Sequence, residues 1–348
     1  MKLTNQEEKE ILKYIDTYDF KEYLQDKTIL ITGSKGIVGS GIIKWVLKEN
    51  ELHGANARII ASTRNPKRRP DWITEEDSIE FCTFGKELEE LADQPIDYVI
   101  HSAAPTSNKV FKAQPVESLK VILDGTENML NLTKEKNAQM IYLSSEEVYG
   151  TPDLEEPVKE TFVGAVDSLS TRSCYPLGKK VAELLCRSYF EEYAVNVKII
   201  RPTVILGLWQ EYESVKVETE ILRCIMENKN LMMLSDGSTM KSVIYSLDAI
   251  SAVLTVLFRG NGGEAYNATN PYTYCSVRNR AYKAFAEFNE KLDIEFAKSD
   301  ISKASGYLPK RAICEDITKI SGLGWKPERD MSDIYRLDIE RFTESRKN

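Results

Sequence analysis

Residues 28–48 read TILITGSKGIVGSGIIKWVLK, and this stretch decides the fold. Its first five residues are apolar or β-branched, which predicts a buried strand, and residues 40–48 have the apolar spacing of a helix. The turn between them contains three glycines, which let backbone amides approach a pyrophosphate, and the N-terminus of the helix adds about half a positive charge. A tight turn without a ligand is the alternative, but the order of strand, turn and helix favours a dinucleotide. The residues predicted to hold it are Gly33, Ser34, Lys35, Gly36, Ile37, Val38 and Gly39.

Apolar runs alternate with amphipathic stretches from this point up to Arg201. This alternation is typical of βαβ units, in which parallel strands are covered by helices on both faces. The sequence therefore predicts an α/β fold, a Rossmann-type doubly wound parallel sheet with a smaller, mainly C-terminal substrate-binding lobe. The predicted strands are residues 28–32, 58–63, 79–82, 98–101, 140–144 and 197–201.

The chain divides into three predicted parts. Thr4 and Glu7 have the spacing of a capping box ahead of an apolar helical face, so the segment before the first strand is an accessory helix. After the sixth strand the βαβ rhythm loosens into helices separated by Gly- and Pro-containing turns, which indicates a second lobe. The predicted boundaries are 1–26 for the accessory helix, 27–202 plus about 242–262 for the dinucleotide-binding domain, and 203–241 plus 263–348 for the substrate-binding lobe.

The charge balance and the apolar runs exclude two classes of partner. The chain has 54 acidic and 46 basic residues, so its surface as a whole should repel nucleic acid, and an anionic ligand needs a local basic site. The longest apolar runs, such as residues 249–258, are shorter than the roughly 20 residues of a membrane span. We therefore expect neither a nucleic-acid partner nor a membrane partner.

The first residues and the cysteines indicate the compartment. Residues 1–10 are polar and acidic, unlike a secretory signal, which predicts a cytoplasmic protein. Six cysteines are scattered without CxxC spacing, and the chain has two histidines, so we expect reduced core cysteines and no metal site.

A tyrosine and a lysine have the spacing of a proton-transfer pair. Tyr175 and Lys179 are four residues apart at the start of a predicted helix and therefore lie on one face of it. A phenol with an ordinary pKa of about 10 must become more acidic before it can take a proton from a sugar hydroxyl, and positive charge on Lys179 and on an oxidised nicotinamide favours this. Ser145, at the end of the fifth predicted strand, can orient the same hydroxyl. We predict that these three residues form a catalytic triad.

Several motifs occur in the order found in the extended short-chain dehydrogenase/reductases. Together they span about residues 27–290, and the chain resembles the NAD-dependent epimerase/dehydratase family, whose members modify nucleotide-activated sugars. The motifs are GSKGIVG at 33–39, HSAAPT at 101–106, GTEN at 125–128, SSEEVYG at 144–150, YPLGK at 175–179, and DGS at 236–238 followed by Tyr245 and Asp248.

This resemblance implies an enzyme of polysaccharide biosynthesis that works through a 4-keto sugar and regenerates its cofactor in each turnover. In the 4,6-dehydratases of the family, an acid and a glutamate occupy the positions of Glu146 and Glu147. Glu147 would then remove the C5 proton and Glu146 would protonate the oxygen that leaves C6, since neighbouring carboxylates raise one pKa. The alternatives are a solvated glutamate pair, a nucleotide-uronate decarboxylase, an NADPH-dependent keto-sugar reductase and a non-catalytic dinucleotide sensor.

The second predicted strand ends without the carboxylate that holds the adenosine ribose in NAD-preferring relatives. Ser62-Thr63-Arg64-Asn65 stands there, and Arg64 could pair with a 2′-phosphate, which favours NADP over NAD; a solvated basic loop is the alternative. The resemblance adds further residues to the cofactor site beyond the glycine-rich turn. They are Thr63, Arg64, Ser102, Ala103, Ala104, Tyr175, Lys179 and Pro202.

Departures from the family pattern fall on ligand contacts. Ile122 and Val204 replace usual asparagines, Gly207-Leu208 replaces Gly-Pro, and Lys241 replaces an arginine, so the nucleotide and the sugar stay open. The predicted substrate contacts are Thr106, Ser107 and Lys241. The resemblance also implies a homodimer built on long helices around residues 114–135 and 179–193.

Overall fold

The computed structural model describes residues 1–74, 77–152, 154, 156–297 and 311–346. Part of the predicted C-terminal lobe, residues 298–310 and 347–348, lies outside the described residues. The strands are β1 Thr28–Thr32, β2 Arg58–Thr63, β3 Ile79–Thr83, β4 Tyr98–His101, β5 Gln139–Leu143, β6 Asn196–Pro202, β7 Val204–Leu206, β8 Leu231–Met233, β9 Met240–Tyr245, β10 Ala265–Ala268, β11 Asn270–Ser276, β12 Ile294–Phe296 and β13 Ala312–Ile313. The helices are α1 Asn5–Thr17, α2 Lys21–Leu24, α3 Ile37–His53, α4 Glu87–Glu90, α5 Asn108–Ala113, α6 Pro115–Lys136, α7 Cys174–Tyr193, α8 Val217–Glu227, α9 Ser246–Arg259, α10 Val277–Phe288, α11 Thr318–Ser321 and α12 Met331–Ser345, with 3-10 turns at Glu146–Tyr149 and Thr171–Ser173.

A parallel sheet organises the described part of the chain. Its strand order is β3-β2-β1-β4-β5-β6-β10. The chain order reverses between β1 and β4, and in open α/β sheets ligands bind beyond the carboxyl ends of the strands at such a switch point. All six predicted strands are present, and the α/β Rossmann-type prediction is confirmed.

The central strands of the sheet are buried on both faces, because they are largely apolar rather than alternating. Ile29 and Ile31 of β1 belong to one hydrophobic cluster, whereas Leu30 belongs to another. Helices α1, α3 and α9 cover the first face, and α6 and α7 cover the second. The two layers position the carboxyl ends of the strands, where the site lies.

Smaller sheets form the second lobe. β9 pairs with β7, β11 and β13, β8 pairs with β12, and α8, α10 and α12 enclose a separate apolar cluster. Two predicted assignments are wrong: β10 pairs with β6 in the large sheet, and residues 242–245 of β9 lie in a small one. The sequence AYNA of β10 is too short to show a period, and it is held by pairing along the edge of β6.

The N-terminal segment packs on the helices α3 and α9 as part of the fold. Thr4 and Glu7 make the predicted capping box at α1, and α1 contacts α3 and α9. The Tyr14 hydroxyl donates to the buried Asp248 carboxylate over 2.7 Å. In the described residues, every helix is too short or too polar to cross a bilayer.

Candidate active site

The glycine-rich turn touches the loop that follows β4. Gly33 has φ 66°, and a Cβ there would lie 2.7 Å from Ser102 Oγ and 2.9 Å from the Ala103 amide nitrogen. A Cβ on Gly39 would lie 2.4 Å from the Gly33 carbonyl oxygen. Neither position has space for a side chain, so the backbone itself forms the wall of the cleft at the N-terminus of α3.

Hydrogen bonds hold this wall in place. Ser34 Oγ donates to the Ser62 carbonyl oxygen over 3.0 Å, which connects the turn to β2. Ser102 Oγ donates to the Thr32 carbonyl oxygen over 2.6 Å, and the Ala103 amide donates to Thr32 Oγ1 over 3.2 Å. The predicted cofactor residues of β1, β2 and β4 therefore meet at one sheet edge, and this small-residue cradle fits a dinucleotide.

The end of β2 carries positive charge at its surface and a carboxylate beneath it. Arg64 is exposed. Glu87 is fully buried and accepts from Ser62 Oγ over 2.6 Å, the Gly85 amide over 2.8 Å and Asn128 Nδ2 over 2.9 Å. Since Glu87 is fully buried and accepts from three protein donors, this carboxylate is not exposed to a ribose. It was missed from the sequence because it begins the short helix α4 after β3, where no motif marks it.

The predicted triad comes together at the ends of β5 and α7. Ser145 and Tyr175 are both buried, and the Ser145 hydroxyl lies near enough to the phenol to lower its pKa. The Lys179 ammonium nitrogen lies 5.9 Å from the centre of the Tyr175 ring and donates to the Leu143 carbonyl oxygen over 2.5 Å. The structure therefore brings the three predicted side chains together at the carboxyl end of β5.

Burial acts on the two titrating members of the triad in opposite senses. It raises the pKa of the Tyr175 phenol well above its ordinary value; Glu147 adds to that rise, and the Ser145 hydroxyl opposes it. It lowers the pKa of Lys179 to about 7. The more acidic phenol expected from the sequence therefore needs positive charge beyond these protein groups, which an oxidised nicotinamide would supply.

Tyr175 is part of a stack that the sequence did not indicate. Phe111 of α5 stacks on its ring at 4.8 Å, and the Arg172 guanidinium lies 4.9 Å from the Phe111 ring centre. Arg172 also donates to both oxygens of Glu147, at 3.0 and 2.9 Å. Arg172 thus fixes the carboxylate next to the phenol, a role that no local motif marks.

Glu146 faces a different cation from its neighbour Glu147. Its Oε1 accepts from Arg311 over 2.8 Å, and both side chains are almost entirely buried. Glu315 is buried beside them. Arg311 and Glu315 lie 165 and 169 positions after Glu146, so sequence spacing could not associate them with the site.

The predicted ligand contacts lie on neighbouring elements. Thr106 and Ser107 precede α5, Pro202 ends β6, and Thr106 is exposed. Lys241 Nζ lies 3.0 Å from the buried Glu218, which Arg280 also contacts at 2.6 Å. Burial raises the pKa of Glu218, but Lys241 and Arg280 lower it to about 2. Lys241 therefore belongs to a charged cluster of the second lobe.

His101 sits below the cleft rather than in it. It is buried, its Nδ1 lies 2.8 Å from Thr32 Oγ1, and its Nε2 lies 3.3 Å from Thr126 Oγ1. Burial, with a contribution from Lys179, lowers its pKa to about 3. The ring is therefore neutral near pH 7 and connects β1, β4 and α6.

The fold and this site define an α/β enzyme of the dinucleotide-binding class. Residues 29–269 match the family described as "NAD dependent epimerase/dehydratase family", and the chain belongs to that family. This confirms the resemblance found in the sequence.

Relatives of known activity cover most of the chain. It is 28% identical over 316 residues to UDP-glucuronic acid decarboxylase 3 of Arabidopsis thaliana, an alignment that spans 90% of this chain and 88% of the relative. The dTDP-glucose 4,6-dehydratase of Bacillus anthracis, solved with NAD, has a TM-score of 0.74 at 18% identity and covers 92% of this chain and 98% of its own. RMD from Pseudomonas aeruginosa, solved with NADPH, has a TM-score of 0.67 at 22% identity, with coverages of 90% and 98%. The two structures support the fold.

Proposed function

We propose that this enzyme oxidises C4 of a nucleotide-activated hexose and then eliminates water across C5 and C6, as a 4,6-dehydratase does. The observation that carries the proposal is the pair of adjacent carboxylates beside the Ser145 and Tyr175 hydroxyls, each with its own guanidinium partner. Two carboxylates in different environments suit one base and one acid.

A nicotinamide dinucleotide would accept the hydride from C4 and later return it to C6. Tyr175 would take the C4 hydroxyl proton while Ser145 orients that hydroxyl. The residues proposed to hold the dinucleotide are the 33–39 turn, Thr63, Arg64, Ser102, Ala103, Ala104, Tyr175, Lys179 and Pro202. Arg64, together with the occupied Glu87, favours NADP.

The elimination uses the two glutamates. Once C4 is a ketone, Glu147 takes the C5 proton and the electron pair forms the C5–C6 double bond. The C6–O bond breaks, Glu146 gives its proton to the departing oxygen, and water leaves. Hydride then adds at C6, and the proton on Glu147 returns to C5, so the product is a 4-keto-6-deoxy sugar.

The substrate and the assembly state complete the proposal. Thr106, Ser107 and Lys241 are proposed substrate contacts, and Lys241, which lies beside Glu218, is proposed to supply positive charge to a nucleotide diphosphate. A homodimer through α6 and α7 fits the exposed Val181 and Leu184 on α7. The unpaired cysteines among the described residues favour the cytoplasm.

Product analysis tests this proposal. Purified enzyme is incubated with UDP-glucose, dTDP-glucose and GDP-mannose, and products are identified by NMR. We expect a 4-keto-6-deoxy product from one of them. The Glu147→Gln variant should reduce its cofactor but form no 4-keto-6-deoxy product. Glu117 is exposed, so the Glu117→Gln variant should behave as wild type. Absence of any 4-keto product across the panel would contradict the proposal.

A uronate decarboxylase is the second candidate, because the curated relatives named UDP-glucuronic acid decarboxylases align over most of their length. In that case UDP-glucuronate loses carbon dioxide after oxidation at C4, and no acid is required at Glu146. Release of carbon dioxide from UDP-glucuronate, with the hexoses unchanged, would select this function over the dehydratase.

A further inference from the structure

Glu146 of the glutamate pair lies in a buried cluster in which two carboxyls share one guanidinium. Glu146, Glu315 and Arg311 are each at most 6% exposed. One Arg311 nitrogen, Nη2, donates to Glu146 Oε1 over 2.8 Å. Backbone pairing fixes the position of Glu315. Val158 and Glu315 form a parallel β-bridge, in which the Asp316 amide donates to the Val158 carbonyl oxygen over 2.9 Å. Glu315 therefore cannot move to solvent without opening this bridge.

The remaining carboxyl oxygens of the cluster lack donors. Within the described residues, Glu146 Oε2 and both side-chain oxygens of Glu315 are buried without a hydrogen-bond partner that donates to them. Both carboxyls lie close enough to Arg311, and to each other, to interact electrostatically. Two ionised carboxylates so placed repel each other, and buried polar atoms seldom remain unpaired, so a proton bound by one carboxyl and donated to the other would satisfy both.

The neighbouring charges do not remove this imbalance. One Arg172 nitrogen, Nη2, donates to both oxygens of Glu147, and Tyr175 and Cys314 carry no positive charge. Among the described residues, Arg311 is therefore the one cation that faces the carboxyls of Glu146 and Glu315. Two carboxylates and one guanidinium leave one excess negative charge in a desolvated place, where a bound proton costs less than an unpaired charge. Consistent with this count, burial and Glu146 raise the pKa of Glu315 well above its ordinary value.

We propose that Glu146 and Glu315 share one proton at neutral pH, and that Glu315 is the positioning residue that keeps Glu146 supplied with the proton given to the departing oxygen. The inference rests on the proposed elimination and adds a residue to it. When the C6–O bond breaks, the shared proton leaves with the oxygen as water, and both carboxyls are briefly ionised against Arg311. One proton from solvent then restores the pair, which balances the proton that Tyr175 removed from the C4 hydroxyl.

Infrared difference spectroscopy at pH 8 tests the shared proton directly. Subtraction of Glu315→Gln from wild type should leave the carbonyl stretch of one carboxylic acid, because the glutamine amide can donate to an ionised Glu146. Glu147→Gln is the matched control: its side chain is paired with Arg172 rather than with Arg311 or Glu315, so the same carboxylic-acid band should remain in that variant. Identical carboxylic-acid regions in wild type and Glu315→Gln would overturn the inference.

Kinetics test the role of the proton. In Glu315→Gln, cofactor reduction in a single turnover should be unchanged, while 4-keto-6-deoxy product at pH 8 should form about 10²-fold more slowly and recover at lower pH. If Glu315→Gln slows cofactor reduction and product formation equally, Glu315 has a purely structural role and the proposal is wrong. If wild type shows the carboxylic-acid band but forms no 4-keto-6-deoxy product from any hexose, only the proposed function is wrong. If it forms that product but lacks the band, only the shared proton is wrong.

Discussion

Arg172 and Arg311 show how two adjacent glutamates acquire different chemistry. Each guanidinium selects one carboxylate: Arg172 holds Glu147 with two hydrogen bonds, and Arg311 holds Glu146. Sequence reasoning predicted Ser145, Glu146, Glu147, Tyr175 and Lys179 as site residues because they have short spacings on one strand end and one helix. It could not find the two arginines, since one lies in a turn without a motif and the other is brought in by the second lobe.

Removal of the Tyr175 hydroxyl is the direct test of the hydride-transfer site. Tyr175→Phe keeps the ring that stacks on Phe111 but cannot take the C4 proton. We expect kcat to fall by about 10²- to 10⁴-fold with dinucleotide affinity within a factor of three. Reduced-cofactor absorbance and fluorescence titration measure the two quantities.

Tyr189→Phe is the matched control, because this tyrosine lies on the same helix and its hydroxyl contacts Asn131 far from the cleft. It should leave kcat unchanged. Equal losses in the two variants would mean that Tyr175 acts on stability rather than on catalysis.

At the scale of elements, the clearest of the predicted strands is β1, whose apolar run is continuous. Ile29, Leu30 and Ile31 are buried on alternate faces, and no polar position interrupts the pattern. β10 was assigned to the wrong part because only pairing with β6 defines it. The glycine-rich turn was predictable for a different reason. Its backbone has no space for side chains, so it requires glycines, and their spacing can be read directly from the sequence.

Gly39→Ala tests this close approach at the start of α3. The added methyl would lie 2.4 Å from the Gly33 carbonyl oxygen, so the turn must shift and its amides move away from the pyrophosphate. We expect dinucleotide affinity to fall at least 10-fold in a fluorescence titration. Gly322→Ala is the control, because its added methyl would come no closer than 3.3 Å to another atom; comparable weakening there would exclude the steric explanation.

At the scale of the whole molecule, the N-terminal segment joins parts of the chain that are far apart in sequence. Asp248 of α9 accepts from the Tyr14 hydroxyl over 2.7 Å and from the amides of Glu328 and Arg329 over 2.9 and 3.2 Å. The sequence predicted the α1 helix from its capping box but not this contact. The reason is that a tyrosine on an apolar helix face indicates that its ring is buried but does not show which residue its hydroxyl contacts.

Tyr14→Phe should therefore weaken the fold without affecting catalysis. The change leaves Asp248 with one donor fewer in a buried place, which costs about 1–2 kcal/mol of the free energy of unfolding. Urea denaturation followed by circular dichroism measures it. Tyr23→Phe, at an exposed ring, should cost under about 0.5 kcal/mol, and equal effects of the two substitutions would contradict the role given to the Tyr14 hydroxyl.

The same carboxyl predicts how stability depends on pH. Burial raises the pKa of Asp248 from its ordinary value of 3.8 to about 7, although Tyr14 and the two amides oppose the rise. Between about pH 4 and pH 7 the unfolded chain has lost this proton while the folded chain keeps it, so the contribution of Asp248 to stability falls as pH rises and levels off above pH 7. Asp248→Asn removes the titrating group, and the difference in unfolding free energy between wild type and variant should change by up to about 4 kcal/mol across this window. Urea titrations at intervals of one pH unit measure it, and a difference that stays constant from pH 4 to pH 7 would show that the folded protein keeps Asp248 ionised throughout.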